Sequence, residues 1–238
     1  MEGTVMPTFQ FKQLSDHALF VQFGTSIKEE THVIIQQAIS QLQQQPFPGL
    51  IEIVPSYTNF CVYYDPFVVR HQLTHFTAKT SAEKVQLYIQ MILQEPVPTS
   101  SKESPLIEIP VLYGGEFGPD LPEVAAQNGL TTQQVIDIHT SQDYLVYMLG
   151  FAPGFPFLGG MDPRIATPRR TTPRREIAAG SVGIAGQQTG IYPLATPGGW
   201  QIIGRTLTPL FLPEQYPPTL LRAGDRIRFI AVKEGGSC

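Results

Sequence analysis

Several residue types that would make the chain easy to read are scarce. Cysteine occurs twice in 238 residues. Cys61 lies in "NFCVYYD", which alternates as a strand does, and a buried reduced thiol is expected there. Cys238 is the last residue and is expected to be mobile. No Cys or His pair has ligand spacing, so neither a disulfide framework nor a metal site is expected. Basic charge is also short: 16 Lys and Arg stand against 20 Asp and Glu, a formal charge of −4. Such a field does not favour nucleic acid. No apolar run approaches the roughly 20 residues of a membrane span, so no membrane partner is expected. The start, "MEGTVMPTFQFKQ", lacks the basic and apolar stretches of a secretory signal, which makes the cytoplasm the expected address.

Glycine and proline are plentiful, at 21 and 22 residues. They cluster between Gly150 and Pro218, which predicts many turns and few long helices there. Before that region the pattern is more regular. "TFQFKQLSDHALFVQFG" and "LIEIVPSYTNFCVYYDP" each read as a β-hairpin. "SIKEETHVIIQQAISQLQQQ" reads as a helix through Val33, Ile34, Ala38 and Leu42, with Ser26 or Thr31 as its cap. "SAEKVQLYIQMILQ" reads as a second amphipathic helix. The order β-β-α-β-β-α predicts an α+β domain over residues 1–94. "EPVPTSSKESP", residues 95–105, breaks all periodicity and is expected to be a linker.

Residues 106–238 are expected to form a second, mainly-β domain. "LIEIPVLYGG" reads as a strand. Two short helices follow, with Asp120 and Thr131 as candidate N-caps and Gly129 as a C-cap. Then come strands in "LVYMLGF", "GSVGIAG", "TGIYPLA", "GWQIIGRT" and "GDRIRFIAV". Many short strands between turn signals suggest a closed or nearly closed barrel.

The glycines of "GSVGIAGQQTGIYPLATPGGW" are not a nucleotide loop. Their spacing is not G-x-G-x-x-G, no helix follows, and no Lys is present for a P-loop. Tight turns between strands or a looser backbone anion nest remain. His139, near Asp137 and Asp143, reads either as a catalytic group or as a half-buried helix residue. No nucleophile elbow accompanies it. "MDPRIATPRRTTPRR" gathers Arg164, Arg169, Arg170, Arg174 and Arg175. Arginine suits bidentate recognition of carboxylate or phosphate, so the stretch is a solvated loop or an anion or partner site. "GFAPGFPFLGG" offers Phe151, Phe155 and Phe157 between prolines. It either lines a pocket or closes a barrel end.

Together "GFAPGFPFLGGMDPR", "GSVGIAGQQTGIYPLATPGGWQIIGRT" and "YGGEFGPDLPEVA" resemble a known family. It groups the B subunit of bacterial 5-oxoprolinase, the sporulation-kinase inhibitor KipI and subunit 1 of allophanate hydrolase. The resemblance runs over essentially the whole chain. It implies an α+β domain followed by a cyclophilin-like β-barrel. It also implies work with 5-oxoprolinase subunits A and C, cleaving 5-oxoproline to glutamate with ATP as the complex's cofactor. The B and C subunits together would resemble the carboxyltransferase half of urea carboxylase.

Carried onto this sequence, Phe151, Pro153, Phe155 and Phe157 would form an apolar wall. Gly183, Gly186, Gln187, Gln188 and Thr189 would supply donors and close backbone approach. Tyr192, Trp200 and Arg205 would close the far side, with Arg205 meeting an anion. No residue reads as sole nucleophile or base, which suits a half-site completed by another chain. The resemblance leaves a second function open: inhibition of a sporulation sensor histidine kinase, with Phe155 and Trp200 as anchors. Peptidyl-prolyl isomerase activity is disfavoured because no cyclophilin active-site string is present. A biotin-linked carboxyltransferase would need carrier domains that the chain lacks.

Overall fold

The structure is a computed structural model that describes residues 9–94 and 106–233. The chain divides into two compact units, Met1–Lys102 and Glu103–Cys238. The expected linker, residues 95–105, lies outside the described residues, as does Cys238.

The first unit carries strands β1 (Gln10–Ser15), β2 (Ala18–Gln22), β3 (Leu50–Pro55) and β4 (Asn59–Tyr64). They form an antiparallel sheet in the order β1-β2-β4-β3. Helices α1 (Glu29–Gln44), α2 (Pro66–Gln72) and α3 (Ser81–Gln94) complete the unit. Alternation along β2 and β4 sends Leu19, Val21, Phe60, Val62 and Tyr64 into one core with Ile35, Leu42, Val85 and Ile89 of the helices.

Two details of α1 differ from its sequence reading. Its N-cap position is Lys28 with no side-chain cap bond, not Ser26 or Thr31; Glu29 and Glu30 place negative charge in the first turn instead. Its buried stripe includes Ile35 and Ile39, while Val33 is exposed. Helix α2 was not anticipated. Asp65 starts it, accepting from the backbone N–H groups of Phe67 and Val68 at 2.8 and 3.1 Å, with Pro66 at the first helical position.

The second unit is a closed barrel of β5 (Leu106–Tyr113), β6 (Asp143–Leu149), β7 (Pro156–Gly159), β9 (Ser181–Ala185), β10 (Gln188–Ile191), β12 (Gln201–Arg205) and β13 (Arg226–Val232). Their order is β10-β7-β6-β13-β5-β12-β9, and only β13 and β5 are parallel. Strand β7 falls inside the proline-rich aromatic stretch. Its proline is the first strand residue, where a missing donor is tolerated. A two-stranded sheet of β8 (Arg174–Ile177) and β11 (Thr196–Gly198) was also not foreseen. Helices α4 (Leu121–Gln127) and α5 (Thr132–Thr140) lie between β5 and β6. Thr131 and Gln134 form a capping box on α5, and Gly129, at φ +64°, follows the end of α4. The α5 helix stops at Thr140, so Asp143 and Tyr144 belong to β6.

Val146, Leu158, Val182, Ile184, Ile191, Ile203, Ile227 and Phe229 share the barrel's core cluster. His139 joins it wholly buried, not half-buried, stacked on Phe229 at 4.4 Å. The Tyr113 hydroxyl lies 2.7 Å from its Nδ1, and Thr189 Oγ1 lies 2.9 Å from its Nε2. Thr189 donates its own proton to the Gly183 carbonyl at 3.0 Å, so its oxygen accepts from His139 Nε2–H. Tyr113 then donates to Nδ1, which fixes the neutral tautomer. Burial lowers the His139 pKa from 6.5 to about 3.

Below pH 6.5 the unfolded chain takes up a proton that folded His139 refuses, so its contribution is complete above pH 6.5 and is lost as pH falls toward 3. His32, lowered to about 4 by burial, acts in the same direction. Urea unfolding between pH 7 and pH 4 is expected to show stability falling by up to about 1.4 kcal/mol per pH unit for each such group. His139→Gln should flatten that slope; an unchanged slope would refute the assignment.

Candidate functional site

Strict alternation in a barrel strand gives each strand two faces. Along β10, Thr189 and Ile191 belong to the interior, while Gly190 and the following Tyr192 turn to the other side. Along β12, Ile203 is interior and Ile202 is not; along β7, Leu158 is interior and Phe157 is not. The outward set gathers into a second cluster of Phe155, Ile177, Ala185, Tyr192, Trp200 and Ile202, with Ala152 and Phe157 against it. The neighbouring strands β7, β10, β9 and β12 thus carry an aromatic wall on the barrel's outer surface.

Phe155 is the hub of the wall. Its ring meets Trp200 at 5.4 Å and 87°, Tyr192 at 5.2 Å and 83°, and Phe157 at 4.9 Å. Near-perpendicular contacts set ring edges on ring faces and contribute about 0.5–1.5 kcal/mol each beyond burial. Glycine permits the approach. Gly183 and Gly190 face each other across β9 and β10. A Cβ on Gly190 would lie 2.9 Å from the Pro156 carbonyl, 3.0 Å from the Phe155 ring and 3.1 Å from the Trp200 ring. One on Gly183 would lie 3.1 Å from Trp200 Cβ. Burial raises the Tyr192 pKa, opposed by the Trp200 backbone and the charges of Arg169 and Arg174.

Only part of the wall meets solvent. Phe155 and Trp200 are 1% and 5% exposed, whereas Phe151 is 67% exposed. Phe151 packs on Phe155 at 5.5 Å and Tyr192 at 6.3 Å. Its φ is +66°, and Ala152 N–H donates to the Gly150 carbonyl at 2.7 Å across it. That is a γ-turn in its rare, strained form, on a bulky residue.

The other residues expected in the site are placed differently. Pro153 is exposed in the same turn. Gly186, at φ +61°, and exposed Gln187 form the tip of the β9–β10 hairpin, the place where a type II′ turn needs glycine. Gln188 is half-buried at the start of β10, and Thr189 points inward to His139. Arg164 is exposed and grips Asp162 two residues away, with Nη2 to Oδ2 at 2.6 Å. Arg205 Nε donates to the Ala179 carbonyl at 2.8 Å. Among the described residues, no group of three or more His, Cys, Asp or Glu could hold a metal ion, and no helix is long and apolar enough to cross a membrane.

Asp120 is the residue that sequence reasoning misjudged. It occupies the N-cap position of α4 but makes no side-chain cap bond. Its buried carboxylate accepts instead from Arg170 Nη1 at 2.9 Å, from Arg174 Nη1 and Nη2 at 2.8 Å each, and from the Ile202 N–H at 2.6 Å. The signal was present in two separate strings, "GPDLPE" and "PRRTTPRR". Only folding brings them together, across 50 and 54 residues.

This fold and wall define a class. A family model described as carboxyltransferase domain, subdomain C and D, matches residues 9–221, and the chain belongs to that family. Within it, the chain is 50% identical over 226 residues to the 5-oxoprolinase B subunit of Bacillus subtilis (strain 168), covering 95% of this chain and 94% of that protein. It is 45% identical to the 5-oxoprolinase B subunit of Escherichia coli O157:H7, over 84% of this chain and 87% of the relative. The crystal structure of TTHA0988 superposes with a TM-score of 0.77 at 36% identity; the match covers 91% of this chain but 40% of that longer one.

Two substitutions probe the site's construction. Gly190→Ala is expected to destabilise the protein by about 1–3 kcal/mol in urea unfolding followed by Trp200 fluorescence, because backbone and rings enclose the added methyl. Asp120→Ala strands two guanidiniums and is expected to lower stability by about 3 kcal/mol, the low end for a buried pair because both arginines keep some surface in water. Wild-type stability in either variant would contradict the packing described.

Proposed function

We propose that this chain is the B subunit of an ATP-dependent 5-oxoprolinase that opens 5-oxoproline to glutamate together with subunits A and C. The observation that carries the reading is 50% identity, nearly end to end, with a protein named as the B subunit of 5-oxoprolinase. In the same reading residues 1–94 are an α+β domain, 95–105 a linker and 106–238 a cyclophilin-like barrel domain, and the complex works in the cytoplasm.

The chemistry suits a divided site. A lactam carbonyl is a weak electrophile, and ATP, when bound, supplies the phosphoryl group that activates its oxygen. What remains for protein groups is positioning and neutralisation of charge. The wall offers apolar surface and nearby arginines but, among the described residues, no acid–base pair of its own. His139, the only histidine of the second unit, is buried neutral, and Asp120 is committed to arginine. A partner chain would bring the missing groups and the ATP site.

Phe151 is the natural point of contact. Left-handed backbone on a phenylalanine is retained at a cost of order 1–3 kcal/mol, and here it keeps a ring in solvent. An inhibitor of a sensor histidine kinase, of the KipI type, could use the same ring. With Phe155 and Trp200 buried, Phe151 takes the anchoring role in that reading also.

The test is reconstitution. Subunits A and C with ATP and 5-oxoproline are expected to form glutamate only when this chain is added. Phe151→Gly should keep or raise the melting temperature, since the turn relaxes, yet lower the rate at limiting chain at least tenfold. Full-rate glutamate formation without the chain would overturn the assignment. Loss of kinase autophosphorylation on adding the chain, with no glutamate formed, would favour the inhibitor.

A further inference from the structure

The arginine stretch does more than the carboxylate beneath it requires. Asp120 carries one negative charge and accepts from two guanidiniums, so these three side chains together carry one net positive charge. Arg174 spends both terminal nitrogens on Asp120. Arg170 spends one, and its buried Nε has no acceptor among the described residues. Side chains of both remain partly open to solvent, at 36% for Arg170 and 27% for Arg174. Arg169 beside them is exposed.

The backbone under these side chains is pinned. Arg170 N–H donates to the Gly199 carbonyl at 2.8 Å, Gln201 Nε2 donates to the Pro168 carbonyl at 3.0 Å, and Arg174 pairs with Gly198 in the β8–β11 sheet. Arg170 and Arg174 are therefore held in place before any ligand arrives, and a fixed guanidinium fork matches the oxygens of a carboxylate or a phosphoryl group. They also border the aromatic wall. Arg170 is bonded to the residue next to Trp200, and the charges of Arg169 and Arg174 reach the Tyr192 phenol.

We propose that Arg170 and Arg174, positioned by Asp120, together with the exposed Arg169 beside them, form a binding site for the oxyanion group of a small molecule. Asp120 is a positioning residue: it orients two arginines and leaves their solvent-facing N–H groups for the ligand. The choice of oxyanion rests on the subunit reading, in which 5-oxoproline brings a carboxylate and the activated intermediate a phosphoryl group. Binding itself belongs to the isolated chain and needs no partner.

Trp200 is the only tryptophan and lies beside the site, so its fluorescence reports occupancy. The isolated chain is titrated with sodium phosphate, with sodium 5-oxoproline, and with sodium chloride at matched ionic strength. A saturable change is expected with phosphate or 5-oxoproline and none with chloride. Saturation by one and not the other assigns the phosphoryl or the carboxylate source. Arg169→Ala and Arg174→Lys should each raise the half-saturating concentration at least tenfold. If Arg174→Lys fails to fold, the exposed Arg169 decides alone. No saturable response beyond chloride would mean that Arg170 and Arg174 serve only to hold Asp120, and equal half-saturation in Arg169→Ala would place Arg169 outside any anion site; either result overturns the proposal. Failure here with an active reconstituted complex removes the site and leaves the subunit assignment standing; saturable binding with an inactive complex does the reverse.

Discussion

A buried carboxylate must be fully paired or it unfolds its surroundings, and Asp120 meets that condition with three groups from two places. Two arginines come from the proline-rich stretch around β8, and one backbone N–H comes from β12. Asp120 N–H returns a bond to the Ile202 carbonyl at 2.9 Å, so residue and strand are latched in both directions. Because each partner satisfies part of the same charge, none can shift alone. The β8–β11 sheet, the start of α4 and the strand carrying Ile202 are tied at one point beside Trp200.

From that point the barrel makes two cores out of one set of strands. Inward residues form an aliphatic interior, into which His139, Tyr113 and Thr189 bring a polar chain with each hydrogen bond directed. Outward residues form the aromatic wall. The facing glycines Gly183 and Gly190 set how closely the wall rests on the strands, since any side chain there would lift Trp200 and Phe155 away. The glycine-rich string is thus a seat for rings and a hairpin turn at Gly186.

A wall that is mostly sealed, one strained aromatic left in solvent and two arginines fixed at the edge by one aspartate are what the second unit offers a ligand or partner. Burial has neutralised the histidine and arginine has claimed the aspartate, so these titratable groups of the unit are occupied with structure. In the proposed reading such a surface holds and orients, and a partner supplies the reacting groups. The chain's membership of a carboxyltransferase subdomain family and its likeness to proteins named as subunits support that reading.

Local pattern in the sequence determined a good deal: most strands and helices, the capping box at Thr131, the turn glycine at Gly129 and the strings that point to the family. These depend on neighbours within a few residues, where backbone preference and alternation act directly. Helix α2 was readable from Asp65–Pro66, and the α1 stripe was misread because Val33 and Ile35 lie on different faces of one apolar run. Only the tertiary structure decided which side of the barrel each aromatic takes, that Trp200 is buried while Phe151 is exposed, and that Asp120 serves arginine and not its own helix. Those outcomes join groups some 50 residues apart, and the free energy of pairing a buried charge or seating a ring on glycine exists only once the chain has closed.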